Sequence, residues 1–284
     1  MNAEAAYPAP AKLNLLLRVT GRRADGYHLL QTVFRFIDYC DTLRFALRED
    51  GLIARGNEVA GVPASGDLAL KAADLLQKAG AVRLGATITL DKHLPIGGGL
   101  GGGSSDAATT LIALNCLWGL NWPRARLQEL ALELGADVPV FVFGEAALGE
   151  GIGEKLTALT LPPAWYLVLI PPLGVATARV FQDPDLIRDS IPTKIPPFSV
   201  ASASNDLEPV VCRLYPEVAR HLAWLNEIGK AQLGKARMTG SGACVFAEFA
   251  TEAAALSAMQ QLPAAMRGVV ARGLARHPLW EMCR

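Results

Sequence analysis

Between Gly97 and Ser105 the chain carries six glycines, two serines and one large side chain, Leu100. Backbone this rich in glycine reaches conformations closed to other residues, so successive N–H groups can turn into one concavity. The run leads at once into Ala107-Ala-Thr-Thr-Leu-Ile-Ala-Leu114, a helical segment with an apolar stripe, whose N-terminal dipole end would face the same concavity. A strand over Ala86–Leu90 delivers the chain to it. This order predicts a phosphate cradle; the competing reading, a flexible glycine linker, would not run straight into a helix.

Three motifs compete for such a cradle. The Walker pattern needs Lys and then Ser/Thr immediately after its last glycine, and that order does not occur,. Gly97-x-Gly99-x-x-Gly102 satisfies the dinucleotide spacing, but any glycine-saturated run does so by chance. That fold also wants an acidic residue about 20 positions on, and Leu117-Trp-Gly-Leu-Asn-Trp122 has none. Read in full, Pro95-x-x-x-Gly99-Leu100 followed by Gly101-Gly-Gly103-Ser104-Ser105-x-Ala107-Ala108 resembles the ATP-binding motif of the GHMP kinases, in a form with more glycines before the serine pair than is common. The resemblance implies ATP as a ligand of Pro95, Gly97, Gly98, Gly99, Leu100, Gly101, Gly102, Gly103, Ser104 and Ser105.

Composition narrows the partner. The 27 basic and 27 acidic residues cancel, so no basic field is available for a nucleic acid backbone or an anionic membrane, and a small-molecule substrate is expected. Five cysteines (Cys40, Cys116, Cys212, Cys244, Cys283) are widely spaced without a CxxC, which argues against a disulfide framework or a zinc site and for a reducing compartment. Met1–Pro10 lacks a basic-then-apolar leader, and no apolar run approaches the roughly 18 residues of a membrane span. A cytoplasmic protein is expected.

At 284 residues the chain suits two domains,. Leu13, Leu15, Leu17 and Val19 alternate with Lys12, Asn14, Leu16 and Arg18, predicting a strand with Lys12 and Asn14 on one face. After the polar loop Gly21–Gly26, strands are expected over Thr32–Phe36 and Thr42–Leu47, and helices over Asp67–Ala79 and Arg124–Leu134. The glycine-rich connection Gly144–Gly153 is the expected domain boundary, dividing the chain into 1–152 and 153–284. Beyond it come a strand at Trp165–Ile170, a proline-rich loop from Pro184 to Pro197, a helix near Pro216–Ile228, a strand at Ala243–Phe249 after the turn Thr239–Gly242, and an apolar run Gly268–Ala271. Strands and helices mix without regular alternation, which predicts an α+β fold.

The chemistry needs a base and a cation near the cradle. Asp137, in Leu134-Gly-Ala-Asp137-Val-Pro139, stands either as a carboxylate held at an interior helix start or as an ordinary N-cap,. Lys12 and Asn14 on an otherwise apolar strand suit a buried polar pair better than a solvated edge,. Asp106 would repel phosphate from the first turn of the helix unless it caps, faces away or approaches a metal. His93, His221 and His277 read as surface or structural groups.

Pro10-Ala-Lys12-Leu-Asn14-Leu, Asp25-Gly-Tyr27-His28, the cradle, Gly135-Ala-Asp137-Val-Pro139, Asn205-Asp-Leu-Glu208-Pro209 and Gly240-Ser241-Gly242 span nearly the whole chain. Together they look like the branch of the GHMP kinases that phosphorylates a cytidine diphosphate methylerythritol for isoprenoid precursors. The resemblance implies a ribosomal-protein-like β-α-β N-terminal domain and a ferredoxin-like C-terminal domain, with ATP and Mg2+ as cofactors and a monomer or weak homodimer. It implies Lys12 and Asp137 as the catalytic pair, Tyr27 and Phe181 on the two faces of the cytosine, His28 at its edge, and Asn14 against the polar arm. From the residues alone Tyr27 and Phe181 read equally well as core. No acidic pair marks the magnesium ligands; Ser105 is the candidate.

Overall fold

The computed structural model describes residues 5–195, 198–199, 203–228 and 232–282; Cys283 and the end of the proline-rich loop at Pro197 lie outside them. The first strand is longer than its alternation suggests: β1 (Tyr7–Arg22) pairs antiparallel with β2 (His28–Arg48) from Arg22↔His28 to Tyr7↔Leu43. The two strands expected after the polar loop are one. A register shift, Pro10↔Cys40 followed by Ala11↔Ile37, leaves Asp38 and Tyr39 as extra residues of β2, so the break in alternation there marks a bulge and not a turn.

β3 (Ile53–Arg55), α1 (Leu68–Ala79), β4 (Gly85–Asp91), α2 (Gly102–Leu117), α3 (Arg124–Leu134) and α4 (Val138–Phe143) follow. Their apolar residues pack against Phe34, Phe36, Leu43 and Phe45 of β2. α1 begins where Asp67 accepts the Ala69 N–H at 2.9 Å, satisfying a donor the helix leaves open. α2 carries no one-sided stripe and is buried nearly all round. Ala107, Ala108, Thr109 and Thr110 are small enough for α1 and β1 to pack against it closely.

The second half adds β5 (Ala147–Glu150), β6 (Lys155–Ala158), β7 (Trp165–Leu169), α5 (Thr177–Gln182), α6 (Glu208–Leu214), α7 (Pro216–Glu227), β8 (Arg237–Met238), β9 (Val245–Phe249), α8 (Glu252–Met259) and β10 (Gly268–Leu274). The sheet order is β3-β4-β2-β10-β7-β9-β8, with β1 and the β5–β6 hairpin also on β2. β10, from the end of the chain, joins β2 to β7, so a ten-stranded sheet crosses both halves. β7 buries both faces: Leu167 and Leu169 meet α6 to α8, while Tyr166 and Val168 meet Leu13, Leu15 and Ile37.

The glycine-rich connection differs from a free linker. Its Ala147–Glu150 stretch forms β5 and pairs with Thr32–Phe34 of β2, because alternating small and apolar residues there can lie flat on a buried strand. The chain end also returns to the first half. His277 donates its N–H to the Gly144 carbonyl at 2.8 Å, and Arg124 donates to the Trp280 carbonyl at 2.8 Å with its guanidinium 4.4 Å from the indole.

His277 is fully enclosed, and burial, with the Arg124 charge adding to it, pushes its imidazole down to about 3 from 6.5. Its Nδ1 accepts the Leu279 N–H at 3.0 Å, which fixes the proton on Nε2. The folded chain therefore keeps this histidine neutral while the unfolded chain protonates it below its ordinary value. The contribution is intact above pH 6.5 and is lost as pH falls toward 3, by about 2 kcal/mol at pH 5. Thermal melts of the parent and His277→Gln from pH 7 to pH 5 should converge as the pH falls; parallel curves would contradict this assignment.

Candidate active site

The cradle is anchored through its carbonyl groups. Gly97 O accepts from Val175 N (3.2 Å) and Ala243 N (3.3 Å), Gly98 O from Cys244 N (3.0 Å), Gly99 O from Thr239 Oγ1 (3.3 Å), and Leu100 O from Lys12 N (2.9 Å). Among the described residues no acceptor takes the N–H groups of Gly97 to Gly101, so donors are left over, as an anion cradle requires. Two glycines are needed for this path. Gly101, φ +73°, caps α2 from the left-handed region. Gly99, φ +76°, would place a Cβ 2.2 Å from the Thr239 carbonyl oxygen.

Lys12 projects from β1 beside the cradle and is 2 % exposed. Its Nζ lies 3.3 Å from Asp137 Oδ2 and 2.5 Å from Asn14 Oδ1. Asp137 occupies the N-cap position of α4, yet its side chain makes no capping bond. Its carboxylate turns to Lys12 and stays partly open to the cleft, 41 % exposed. The sequence alternatives for Lys12 resolve to the buried pair: Asn14 Nδ2 donates to Thr32 Oγ1 at 2.8 Å and Asn14 N to Thr239 Oγ1 at 3.0 Å. All of this faces one cleft of ≈ 600 Å³ bounded by the cradle, α5 and the turn Thr239–Gly242.

Asp106 neither caps α2 nor faces solvent. It is buried, and its Oδ2 accepts from Lys92 Nζ at 2.7 Å, while Lys92 also donates to Asp41 at 2.6 Å. Burial pushes the Asp106 carboxyl up, with Lys92 pulling against it and Asp41 reinforcing it. Burial works against Lys92, but Asp106 and Asp41 hold its ammonium above the ordinary value. Asp41 is steadied further by the His93 and Leu94 N–H groups at 2.6 and 2.7 Å.

At the other end of the cleft, Phe181 packs on His28 with centroids 5.0 Å apart. Arg188 donates to His28 Nε2 at 3.2 Å, which puts the imidazole proton on Nδ1. Burial, then Arg188 and Arg22, hold His28 below its usual value, in the neutral form. Tyr27 is 60 % exposed at the end of its turn and makes no ring contact among the described residues, so it is not core. Phe181 lines the cleft; Tyr27 and His28 stand outside its lining. His93 is exposed and 3.7 Å from Asp91, and His221 is buried against the Glu217 carbonyl. Cys40, Cys116, Cys212 and Cys244 are unpaired. No cluster of three metal-ligating side chains occurs among the described residues.

The GHMP kinases N terminal domain pattern matches residues 67–145, and the GHMP kinases C terminal pattern matches 198–268. A 4-diphosphocytidyl-2-C-methyl-D-erythritol kinase from Nitrosospira multiformis is 62% identical over 98% of this chain and 94% of its own. The chain belongs to this family of GHMP kinases. A namesake from Thiobacillus denitrificans is 59% identical over 97% of this chain and 98% of its own. A crystal structure of 4-(cytidine 5'-diphospho)-2C-methyl-D-erythritol kinase superposes with a TM-score of 0.81 at 34% identity, covering 95% of this chain and 99% of that one. A mevalonate kinase at 16% identity and TM-score 0.64 shares the fold. The α+β architecture of the family is the one expected from the sequence, and its members are small-molecule kinases with ATP as the phosphate donor.

Sequence reading missed Lys92, Asp41, Thr32 and Arg188. Lys92 carries one weak signal, a cation at the end of the strand that enters the cradle; the others have none, because their partners lie far away along the chain. The geometry makes Gly99→Ala costly: left-handed backbone alone costs about 1–2 kcal/mol for a side chain, before the overlap with Thr239. Its melting temperature should drop by several degrees and nucleotide affinity should weaken roughly tenfold or more. Gly103→Ala, whose Cβ would meet only Leu68 Cδ1 at 3.6 Å, should retain its melting temperature. Equal stability of the two variants would refute the tight approach.

Proposed function

We propose that this chain transfers the γ-phosphoryl group of ATP to the C2 hydroxyl of 4-diphosphocytidyl-2-C-methyl-D-erythritol, a step toward isoprenoid precursors. The observation that carries the chemistry is the Lys12–Asp137 pair, 3.3 Å apart at the wall of the cleft onto which the cradle opens. The acceptor is a tertiary alcohol, a weak and hindered nucleophile that gains from a positioned base and a nearby cation. Asp137 accepts the hydroxyl proton as the oxygen bonds to the γ-phosphorus and the bond to ADP breaks. Lys12 orients that hydroxyl and offsets the negative charge gathering between acceptor and phosphoryl group. The free N–H groups of the cradle and the start of α2 hold the phosphates.

Residues at the cradle fit a magnesium ion carried in on the nucleotide. Ser105 Oγ and Asp106 Oδ1 are buried without a hydrogen-bond partner in the first turns of α2, and such an ion needs few protein ligands beside phosphate oxygens. Bound there, magnesium would neutralise charge on the phosphates.

At the cytidine end, Tyr27 and Phe181 flank the cytosine, and His28, with its proton on Nδ1, donates to the acceptor edge of the base. Asn14 touches the polar arm. This reading goes with an ATP-binding domain over residues 1–152, a second domain over 153–284 and a cytoplasmic enzyme acting as a monomer or weak homodimer. Among the described residues no helix is long and apolar enough to cross a membrane. The test is ADP release with the cytidine compound, homoserine and mevalonate as alternative acceptors; turnover of either control at a comparable rate would overturn the assignment.

Asp137→Asn should leave ATP binding nearly intact and lower turnover by ~10²–10⁴, the usual contribution of a positioned general base. Lys12→Met should also lower turnover strongly. Since the two act as a unit, the double variant should lose clearly less than the sum of the single losses, and additive losses in that cycle would separate Lys12 from the reaction.

Tyr27→Ala and Phe181→Ala should each raise KM for the cytidine compound roughly 5- to 150-fold and leave KM for ATP unchanged, as expected for lost stacking. Titrating both substrates while recording melting temperature decides the matter: equal weakening toward both would show that these rings serve packing.

A further inference from the structure

A carboxamide has two ends of the same shape, and only its oxygen end can receive a hydrogen bond from an ammonium group. Asn14 turns its oxygen to Lys12 Nζ at 2.5 Å. The orientation follows from a chain of contacts that ends on an atom of unambiguous role. Thr32 Oγ1 lies 2.7 Å from the backbone carbonyl oxygen of Leu16, which can only accept, so the single hydroxyl hydrogen of Thr32 is committed there. The oxygen of Thr32 is thereby left as an acceptor only. Asn14 Nδ2, 2.8 Å away, must then be the donor, and the opposite end of the amide must present oxygen to Lys12. Reversing the amide would face an NH2 group toward the ammonium and set oxygen against an oxygen with no hydrogen to give. Asn14, Thr32 and Lys12 are all buried, so water is poorly placed to relieve either mismatch.

We propose that Thr32 is a positioning residue for phosphoryl transfer, acting on Lys12 through Asn14. The inference rests on the reading of Lys12 and Asp137 as the catalytic pair. Its hydroxyl oxygen, accepting from Asn14 Nδ2, holds the amide in the one orientation that suits the ammonium, and this fixes Nζ between Asn14 and Asp137. The methyl group of Thr32 has no part in this device, so serine can replace threonine and valine cannot, although valine matches it in shape.

The experiment compares Thr32→Val, Thr32→Ser and Lys12→Met with the parent, recording kcat, KM for ATP and for the cytidine compound, and melting temperature. Thr32→Val is expected to lower kcat roughly 10- to 100-fold, the effect of one buried amide left unmatched, with both KM values within about twofold. Thr32→Ser is expected within about threefold of the parent. In an Asn14→Leu background, Thr32→Val is expected to cause little further loss, since the group it acts through is gone. If valine prevents folding, Thr32→Ala and Thr32→Ser make the same comparison. Parental kcat in Thr32→Val beside an inactive Lys12→Met would overturn the proposal and leave the catalytic pair standing. An active Lys12→Met would overturn both. A rise confined to KM would make Thr32 a substrate contact, and a serine variant as impaired as valine would assign the effect to packing; either result would also overturn the proposal.

Discussion

A nearly buried ammonium group organises this molecule. Lys12 is 2 % exposed, and a cation taken out of water is tolerated only where partners replace its hydration. Three elements supply one each. β1 contributes Asn14 two residues on, the start of α4 contributes Asp137, and the ring of Phe34 in β2 lies 5.9 Å away. The backbone N–H of Lys12 donates to the Leu100 carbonyl of the cradle. Lys12 thus ties the first strand to the glycine loop through its main chain and to Asp137 through its side chain. The spacing between the glycine loop and Asp137 therefore runs through one residue.

How much of this the sequence disclosed depends on how local each interaction is. The cradle was legible because a run of glycine before a helix is a local pattern, and Lys12 with Asn14 because strand alternation places them together. Asp137 was legible as a residue but its orientation was not: a capping carboxylate and one turned toward Lys12 look alike in sequence until the side chain is seen to make no capping bond. The α+β class followed from irregular alternation, yet β5 was hidden in a glycine-rich stretch because its pairing with Thr32–Phe34 is made across the fold. α2 showed apolar positions but not complete enclosure, since whether its polar-looking face of Thr109 and Thr110 meets water depends on what packs there. The Lys92 cluster unites three residues from separate elements, and nothing in the spacing of Asp41, Lys92 and Asp106 marks them as partners.

That cluster answers the difficulty of a carboxylate in the helix that follows the glycine loop. Asp106 alone would repel an anion, but Lys92 sits between it and Asp41. Two carboxylates around one ammonium leave an excess negative charge when both are ionised, and burial acts on Asp106 to favour its protonated form. The helix start therefore meets the cleft with its field less opposed than the sequence suggests. Asp41 also accepts the His93 and Leu94 N–H groups, which fixes the end of the strand that enters the cradle.

Alignment in the cleft follows from how the two glycine turns meet. Gly97, Gly98 and Gly99 give their carbonyl groups to Ala243, Cys244 and Thr239 from the second half, while Leu100 gives its own to Lys12 from the first. The glycine loop is therefore bonded to both walls. Thr239 extends the connection, because its hydroxyl also receives the Asn14 N–H. Phosphoryl transfer gains most from reacting atoms held in line at short range, and a displacement of about 1 Å can cost 10²-fold. In a cleft assembled from distant parts of the chain, that tolerance must come from bonds crossing between the parts. The backbone bonds from Ala243 and Cys244 suit the task, since they need no side-chain rotamer to be frozen, and glycine at Gly99 lets the two backbones approach closely beside them. The glycines that read as a ligand cradle in the sequence thus have a second role: they are the surface along which the halves of the site are joined.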